Sequence, residues 1–152
     1  MPFSIAFERE PLSYPYDDPT TPAATGVLIL GDHREAFLSS LHDWSRQDYE
    51  RQWRHAIEAL LDGRDKAALI TTFVSPQAGT HLEWWPIYLV GNRVFFQDEL
   101  LFYETLSRPF SIENALLYIR DRETVDEEGR TISEWSVSLT DIESFAAKTM
   151  IR

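Results

Sequence analysis

A long amphipathic helix is the feature that most constrains what this chain can fold into. Within the stretch Asp43–Gly63, apolar side chains recur at three- and four-residue steps, which places them on one helix face. These side chains are Tyr49, Trp53, Ala56, Ile57 and Leu60. The opposite face carries charges of alternating sign, as a solvated helix face does, at Glu50, Arg54 and Glu58. The aromatic rings could form a ligand cage, but at helical spacing they favour burial against a sheet.

Both ends of this helix are also marked in the sequence. Ser45 is a candidate N-cap, and Asp48, three residues later, can complete a capping box with it. Trp44 and Tyr49 then occupy the two positions of a hydrophobic staple. Gly63 suits the residue that follows the helix, where a left-handed backbone is common. The sequence therefore predicts a helix over about residues 45–62.

The composition indicates one globular domain. A chain of 152 residues, 43% of them hydrophobic, is long enough to bury a core of its own. It has no apolar run long enough to span a membrane, and its N-terminus lacks the basic and apolar segments of a signal peptide. There are no cysteines, which excludes disulfides, thiol catalysis and cysteine-bound metal. We therefore expect a cytoplasmic protein.

The charge balance is strongly acidic. The chain has 25 Asp and Glu residues against 14 Lys and Arg residues, which gives a net charge of −11. Its only lysines are Lys66 and Lys148. Such a surface repels nucleic acid and anionic membranes, so neither is an expected partner, and it attracts a basic protein. Acidity that serves solubility alone remains an alternative.

The first part of the chain predicts two strands and a short helix. Ser4–Arg9 alternates apolar and polar residues, as a half-buried strand does, and Gly26–Leu30 is a short apolar run. The stretch between them, Leu12–Thr25, is rich in Pro, Asp and Thr and is typical of a loop. Asp32 is a candidate cap for a brief helix over Glu35–Leu41.

The middle of the chain predicts a strand followed by a hairpin. Many β-branched residues mark Lys66–Val74 as a strand, and a turn follows at Ser75–Thr80. Two further runs, His81–Val90 and Arg93–Gln97, are separated by a Gly-Asn pair, which predicts a tight turn like type I′. Pro86 has no N–H to donate, so it indicates an edge position or a bulge in its strand.

The C-terminal third predicts more strands and a final helix. Asp98–Tyr103 fits either a strand or a helix, whereas Leu116–Asp121 and Thr131–Leu139 are predicted strands on either side of a charged segment. Thr140 is a candidate N-cap for a last helix over Asp141–Lys148. The predicted inner face of that helix consists of Ile142, Phe145 and Ala146.

These elements together are typical of an α+β fold, because strands are joined by hairpins and the helices are grouped in the sequence. We expect a single domain over residues 1–152 with an antiparallel or mixed sheet. The long amphipathic helix should pack on one sheet face, and a short helix should lie at the C-terminus.

No catalytic or cofactor motif is present in the sequence. The four histidines, at positions 33, 42, 55 and 81, do not have the spacing of a metal site. There is no phosphate-binding glycine loop and no nucleophile elbow. We therefore expect no catalytic residues, no bound metal and no cofactor.

Acids near the predicted strands leave a carboxylate-based hydrolase as an alternative. They are Glu83, Glu99, Glu104 and Glu134. Paired carboxylates can hydrolyse glycosides, but in so acidic a chain a chance pair is expected. Glu83 precedes Trp84 and Trp85, and aromatic platforms beside an acid suit sugars. Strand alternation instead predicts that one Trp faces the core and the other faces out, where it could anchor a partner.

Two acidic stretches could attract a basic partner. In the first loop, Tyr14 and Tyr16 precede Asp17 and Asp18, and tyrosines provide rigid contact area beside the acids. The second stretch, Asp121–Glu134, has six acidic and two basic residues. The alternatives are a loop held to the body by its rings and a solvated charged loop.

Four stretches, taken in order, form a pattern that spans most of the chain. They are FEREPLSYPYDD, the run Gly26–Gly31 leading to EAFLSSLHDWS, the helix DYERQWRHAIEALL, and DRETVDEEGRTISEWSVSL. This ordered set resembles the immunity proteins of bacterial contact-dependent growth inhibition (CDI) systems. The resemblance implies a small cytosolic protein that binds the toxic C-terminal domain of a cell-surface effector. In that family many cognate toxins are nucleases, often acting on tRNA, so the resemblance also implies a nuclease as the toxin. The resemblance carries no active site.

The acidic surface agrees with what the resemblance implies. An acidic inhibitor can occupy the basic cleft of a nuclease and can associate quickly by electrostatic steering. The residues expected to contact the toxin are Tyr14, Tyr16, Asp17, Asp18, Glu83, Trp85, Asp98, Glu99, Asp126, Glu127 and Glu128. The alternatives are the carboxylate-based hydrolase and a generic acidic adaptor for another basic protein. Activity screening of the isolated protein would separate the first, and the identity of a copurified partner would separate the second.

Overall fold

The computed structural model of the chain describes residues 2–13 and 22–149, without the side chains of residues 9–13. The strands within these residues are β1 (Phe3–Ser13), β2 (Pro22–Leu30), β3 (His33–Ser40), β4 (Lys66–Thr72), β5 (His81–Val90), β6 (Arg93–Phe96), β7 (Glu99–Phe102) and β8 (Trp135–Ser138). The α-helices are α1 (Arg46–Leu61) and α2 (Leu139–Thr149). Two 3₁₀ helices, Tyr103–Thr105 and Ile112–Tyr118, lie between β7 and β8.

The strands form two antiparallel sheets. Sheet A has the order β1-β2-β3, and sheet B has the order β4-β5-β6-β8. Strand β7 also pairs with β5, and because β4 occupies the other side of β5, strands β6 and β7 follow one another along the same side. The predicted α+β class with an antiparallel sheet is confirmed.

The core lies between the two sheets. Strand β5 presents Trp85 and Ile87 on the side of sheet B that faces sheet A, which we call the inner face. Phe96 shares this face and stacks on Phe3 of β1, with ring centroids 5.5 Å apart. Phe145 of α2 meets the same Phe3 ring edge-on at 5.0 Å, so the C-terminal helix closes one end of the core. The predicted inner side of this helix, with Ile142 buried, is confirmed.

The opposite side of sheet B, the outer face, is covered by the chain between β7 and β8. The Lys66 ammonium donates to the carbonyl of Ile119 at 2.9 Å, and the Tyr88 hydroxyl donates to the carbonyl of Arg120 at 2.9 Å. Ile119 itself is buried against the sheet. Sheet B is therefore the middle of three layers, and its central strand is covered on both faces.

Helix α1 begins and ends where the sequence predicts. The Asp48 amide donates to the Ser45 hydroxyl at 3.2 Å, and the Ser45 amide donates to the Asp48 carboxylate at 2.9 Å, which completes the capping box. The staple rings of Trp44 and Tyr49 lie 5.0 Å apart. Gly63 has φ 101°, a conformation that favours glycine after a helix. All five residues of the predicted apolar face are buried.

The same helix closes the open edge of β4 with its side chains. The Gln52 amide donates to the carbonyl of Ala68 at 2.8 Å and accepts from the amide of Ile70 at 2.9 Å. The Trp53 indole donates to the carbonyl of Ile70 at 2.7 Å. An edge strand leaves such backbone groups without a neighbour, and here helix side chains take the place of a further strand.

Sheet A corrects two predictions. Strands β1 and β2 reach Ser13 and Pro22, so much of the predicted loop Leu12–Thr25 is strand. The predicted helix over Glu35–Leu41 is wrong, because this segment is β3, joined to β2 by a two-residue turn. Phe37 pairs with Gly26, and a Cβ at that glycine would lie 2.2 Å from the Phe37 ring. The ring thus packs directly on the glycine backbone.

Sheet B corrects two details of the predicted hairpin. The turn between β5 and β6 has positive φ at Gly91 but not at Asn92, so its signs are those of type II′ rather than type I′. Pro86 lies in a central strand and not at an edge. Its carbonyl accepts from the amide of Gln97, which lies between the end of β6 and the start of β7. Among the described residues, no regular strand lies opposite Pro86 on that side, so the missing N–H removes little strand pairing.

The C-terminal third contains further corrections. The predicted strand Leu116–Asp121 is wrong, because the 3₁₀ helix continues to Tyr118, and the strand predicted over Thr131–Leu139 is limited to β8. Helix α2 begins before Thr140, which is therefore not its cap. Ser138 takes that role, since its hydroxyl accepts from the amide of Asp141 at 3.1 Å while its own amide donates to the Asp141 carboxylate.

Candidate partner-binding surface

The residues expected to contact a partner lie in several different places. Tyr14, Tyr16, Asp17 and Asp18 fall outside the described residues. The others belong to β5, to the start of β7, and to the turn before β8. Their environments differ enough to separate those that build the fold from those that remain available.

Both neighbouring tryptophans of β5 are buried, so the prediction that one of them faces outward is wrong. Trp85 is 3% exposed on the inner face, with its ring 5.5 Å from Trp135. Trp84 is fully buried on the outer face, where its indole donates to Glu99 at 2.6 Å. Strand alternation does separate the two rings, but both sides of β5 are covered. Trp85 is therefore a core residue and not a surface anchor.

Glu99 is also part of the covered outer face. Besides the Trp84 indole, its carboxylate meets the Arg120 guanidinium at 3.1 Å, and its side chain is largely buried. This pairing joins β7 to the chain segment above sheet B. Glu99 therefore serves the packing of that segment, in contrast to its expected role at a partner surface.

Glu134 forms a second, partly buried ion pair on this side of the molecule. Arg122 donates two hydrogen bonds to its carboxylate, at 2.8 and 2.7 Å, and the fully buried Gln97 donates a third at 2.8 Å. Burial alone would raise the pKa of Glu134, but these hydrogen bonds hold it below its ordinary value. A glycosidase acid needs the opposite, a raised pKa, so Glu134 does not suit that role.

The acidic turn before β8 is built around Asp126. Its carboxylate accepts from the amides of Glu128 and Arg130, each at 2.9 Å, and pairs with the Arg130 guanidinium at 3.1 Å. The hydrogen bond from the Arg130 amide is the largest cause that lowers the pKa of Asp126. Glu128 also pairs with Arg130, at 3.1 Å. Among the described residues, only Glu127 of these three acids has no salt-bridge partner.

Glu83 of β5 pairs with Leu100 of β7, two residues after Asp98, which places the Asp98 charge near enough to act on Glu83. Partial burial, and then the Glu35 carboxylate, raise the pKa of Asp98. Partial burial and then the charge of Asp98 raise the pKa of Glu83, while His81 acts in the opposite direction. Within the described part of the chain, neither acid is within salt-bridge distance of a Lys or Arg.

Leu100 and Phe102 adjoin these acids and were missed by sequence reasoning. Leu100 pairs with Glu83, and Phe102 pairs with His81, whose ring lies 5.0 Å away. Leu100 is 47% exposed and Phe102 is 40% exposed. The sequence of β7, Glu-Leu-Leu-Phe, does not alternate polar and apolar residues, so it carried no signal for which side chains are exposed, and the segment fitted a strand or a helix.

Removing the two acids should stabilise the free protein in a pH-dependent way. The folded chain keeps protons on Glu83 and Asp98 at pH values where the unfolded chain has lost them, so the pair costs stability as the pH rises above about 4. We expect Glu83→Gln with Asp98→Asn to melt above the wild type at neutral pH, with the difference shrinking toward about pH 4. Thermal melts across this range measure it.

The control for that experiment is Glu50→Gln with Glu143→Gln, which changes the net charge equally at exposed positions of α1 and α2. The control should show a smaller difference from the wild type. A gap that is the same at every pH would contradict the assignment of the repulsion to Glu83 and Asp98.

A separate groove lies between α1 and the 3₁₀ helix Ile112–Tyr118. Its volume is about 540 Å³, and small apolar residues such as Ala56 and Ala68 line it. Its polar lining includes acids and bases together, among them Asp48, Arg51, His55 and Glu113. The groove therefore has no dominant sign of charge.

Two further properties concern the described residues as a whole. Within residues 2–13 and 22–149, no group of three His, Asp or Glu side chains is arranged to hold a metal ion. No helix in that part of the chain combines the length and apolar character needed to cross a bilayer.

Comparisons with known proteins agree on one family. The family described as "CdiI N-terminal domain" matches residues 39–145. A curated protein named "Immunity protein CdiI", from Enterobacter cloacae subsp. cloacae, is 27% identical over 118 residues, which is 78% of this chain and 81% of that protein. A solved structure, described as the CdiA-CT/CdiI toxin and immunity complex from Enterobacter cloacae, covers 96% of this chain and 97% of its own, with 25% identity and a TM-score of 0.86.

Proposed function

This chain belongs to the CdiI N-terminal domain family of immunity proteins, and from this we propose that it binds and neutralises the C-terminal toxin domain of its cognate CDI effector. The observation that carries the proposal is the match of nearly the whole fold to a chain of a toxin and immunity complex. The match covers 96% of this chain, so it concerns the domain as a unit. Neutralisation by binding requires no catalytic group in this chain.

The finer part of the proposal is that the toxin is a basic nuclease that acts on RNA, with tRNA as one candidate substrate. The net charge of −11 supports a basic partner, because a nuclease that grips a nucleic-acid backbone needs a positive surface. An acidic protein can cover such a surface and compete with the nucleic acid. Two of the four acids considered for a hydrolase, Glu99 and Glu134, are paired with arginines, which occupies them within the fold.

The expected contact residues now fall into two groups. Glu83, Asp98 and Glu127 keep charges that no Lys or Arg of the described residues neutralises, and we propose them as toxin contacts. Tyr14, Tyr16, Asp17 and Asp18 stay as proposed contacts on the basis of the sequence alone. Trp85, Glu99, Asp126 and Glu128 are occupied within the fold.

Association with the toxin should depend steeply on salt. The unneutralised acids steer a basic partner, and ions screen this attraction over roughly 8–10 Å at physiological salt. We expect the association rate to fall by about tenfold or more between ~50 and ~500 mM salt. The measurement uses stopped-flow mixing of the purified chain with the inactivated toxin domain of the effector encoded next to it, beside growth of cells that express active toxin with and without the chain.

A charge reversal localises the effect. Glu127→Lys should slow association, whereas Glu143→Lys on α2 makes the same change in net charge and should slow it less. Asp126 is not a suitable target, because its carboxylate holds the turn. Absence of binding together with absence of growth protection would refute the proposed function. Tight binding with an association rate indifferent to salt would refute only the electrostatic mechanism.

A further inference from the structure

The inner face of sheet B extends beyond the region that other elements cover. Trp85, Ile87 and Phe96 on this face are buried beneath sheet A and α2. Leu100 and Phe102 belong to the same face, yet Leu100 is 47% exposed and Phe102 is 40% exposed. Apolar side chains that continue a core face into solvent are typical of interaction sites.

No arginine or lysine among the described residues pairs with the acids beside these two residues. Glu83 pairs with Leu100 across the strands, and Asp98 immediately precedes β7. The chain neutralises other partly buried acids with arginines, as at Glu99 and Glu134. For Glu83 and Asp98 it provides no such cation among the described residues, and the carboxylate of Glu35 also raises the pKa of Asp98.

We propose that Glu83, Asp98, Leu100 and Phe102, together the β7 face, form the docking site for a basic segment of the cognate toxin. An arginine or lysine of that segment places its charge between Glu83 and Asp98. The aliphatic part of its side chain, and the toxin residues beside it, pack on Leu100 and Phe102. The inference rests on the proposed function and specifies where the partner binds.

An arginine or lysine side chain fits this arrangement through both its charged head and its aliphatic stem. The charged head relieves the repulsion between the partly buried Glu83 carboxylate and the exposed Asp98 carboxylate. The aliphatic stem packs on apolar surface while the head remains in a polar environment, and the ring of Phe102 is suited to receive a cation on its face. A purely apolar partner would bury the acids without neutralising them.

The groove between α1 and the 3₁₀ helix is the competing apolar surface, and its charges make it a weaker candidate. Arg51 and His55 lie on the same rim as Asp48 and Glu113, so the rim offers a basic partner no consistent attraction. The neighbouring residue Leu117 is 67% exposed, which makes it a useful matched control for Leu100.

The test measures the affinity of the full chain for the inactivated toxin domain of the effector encoded next to it. We expect Glu83→Gln with Asp98→Asn to weaken binding roughly 10- to 100-fold, mainly through faster dissociation. Glu50→Gln with Glu143→Gln removes the same net charge elsewhere and should stay within about threefold of the wild type. Leu100→Ser with Phe102→Ser should shorten the lifetime of the complex, whereas Ile112→Ser with Leu117→Ser should not.

Each outcome separates the inference from the function on which it rests. Melts exclude unfolding as a cause, because Glu83→Gln with Asp98→Asn removes a repulsion and is expected to leave the fold intact. If the wild type binds tightly and this variant binds as well as its control, the β7 face is not the docking site. Weakening by Ile112→Ser with Leu117→Ser alone would move the site to the groove. Failure of the wild type to bind would refute the proposed function itself.

Discussion

Replacing Trp53 with alanine is expected to lower the free energy of unfolding by about 3–5 kcal/mol. The side chain is 4% exposed, and its ring lies 4.9 Å from that of Phe7 and 5.9 Å from that of Phe37, measured between centroids. Its loss leaves a cavity where α1 meets both sheets. It also leaves the carbonyl of Ile70 without its indole donor at the edge of β4, and an unsatisfied buried carbonyl alone costs about 1–3 kcal/mol.

Guanidinium or urea unfolding of the wild type and the variant measures this loss. Trp53→Phe is the matched control, because it retains most of the ring volume but not the indole donor, and it should fall between the wild type and Trp53→Ala. A loss below about 1 kcal/mol for Trp53→Ala would show that the surrounding rings collapse into the space and that the carbonyl finds water.

Replacing Glu134 with alanine is expected to cost about 2–4 kcal/mol, because it leaves one partner of a largely buried pair without the other. Arg122 would lose two hydrogen bonds, and the amide of the fully buried Gln97 would lose one. Arg122 is 28% exposed, so water relieves part of its charge and the lower half of that range is favoured. Arg122 also lies 4.1 Å over the Phe95 ring, and the loss should loosen this contact.

The pH dependence distinguishes this pair from a simple packing defect. The pKa of Glu134 is lowered in the folded protein, so its contribution is present above the pKa of the unfolded chain, about 4, and is lost as the pH falls through the folded value. The cost of Glu134→Gln, measured by unfolding at several pH values, should therefore shrink below about pH 4. Glu123→Gln, at an exposed neighbouring position, should cost little at any pH. A cost for Glu134→Gln that is constant with pH would contradict this role for the charge.

Sequence reasoning identified α1 and its caps because the signals are local. The capping box, the staple and Gly63 each involve residues only a few positions apart. Strand β3 was missed because aspartate is common both at helix N-caps and in turns, so Asp32 did not distinguish a helix from a hairpin. Its pairing partners lie in β2, and the burial of Ser39 and Ser40 depends on contacts with β4, such as the bond from the Ser39 hydroxyl to the carbonyl of Thr71.

The candidate site was predictable in charge but not in composition. Glu83 and Asp98 were selected as acids near strands, and the structure brings them together. Trp85 was selected as an anchor that could face a partner. Whether a strand is covered on one face or on both depends on the whole fold and cannot be read from the sequence of the strand. Leu100 and Phe102 were missed for the converse reason, because their exposure depends on how much of sheet B the rest of the fold covers.

The side chains of α1 that bond to β4 make the helix and the strand a single cooperative unit. Separating them would at once deprive the carbonyl of Ala68 and both main-chain groups of Ile70 of their partners. A sheet edge usually frays first. Its outward amides and carbonyls already bond to water, so they lose no protein partner when the edge opens. In this protein the edge at β4 cannot open without also displacing buried aromatic side chains of α1. The same arrangement denies a passing strand any free backbone groups at Ala68 and Ile70, so self-association through that part of the edge is suppressed.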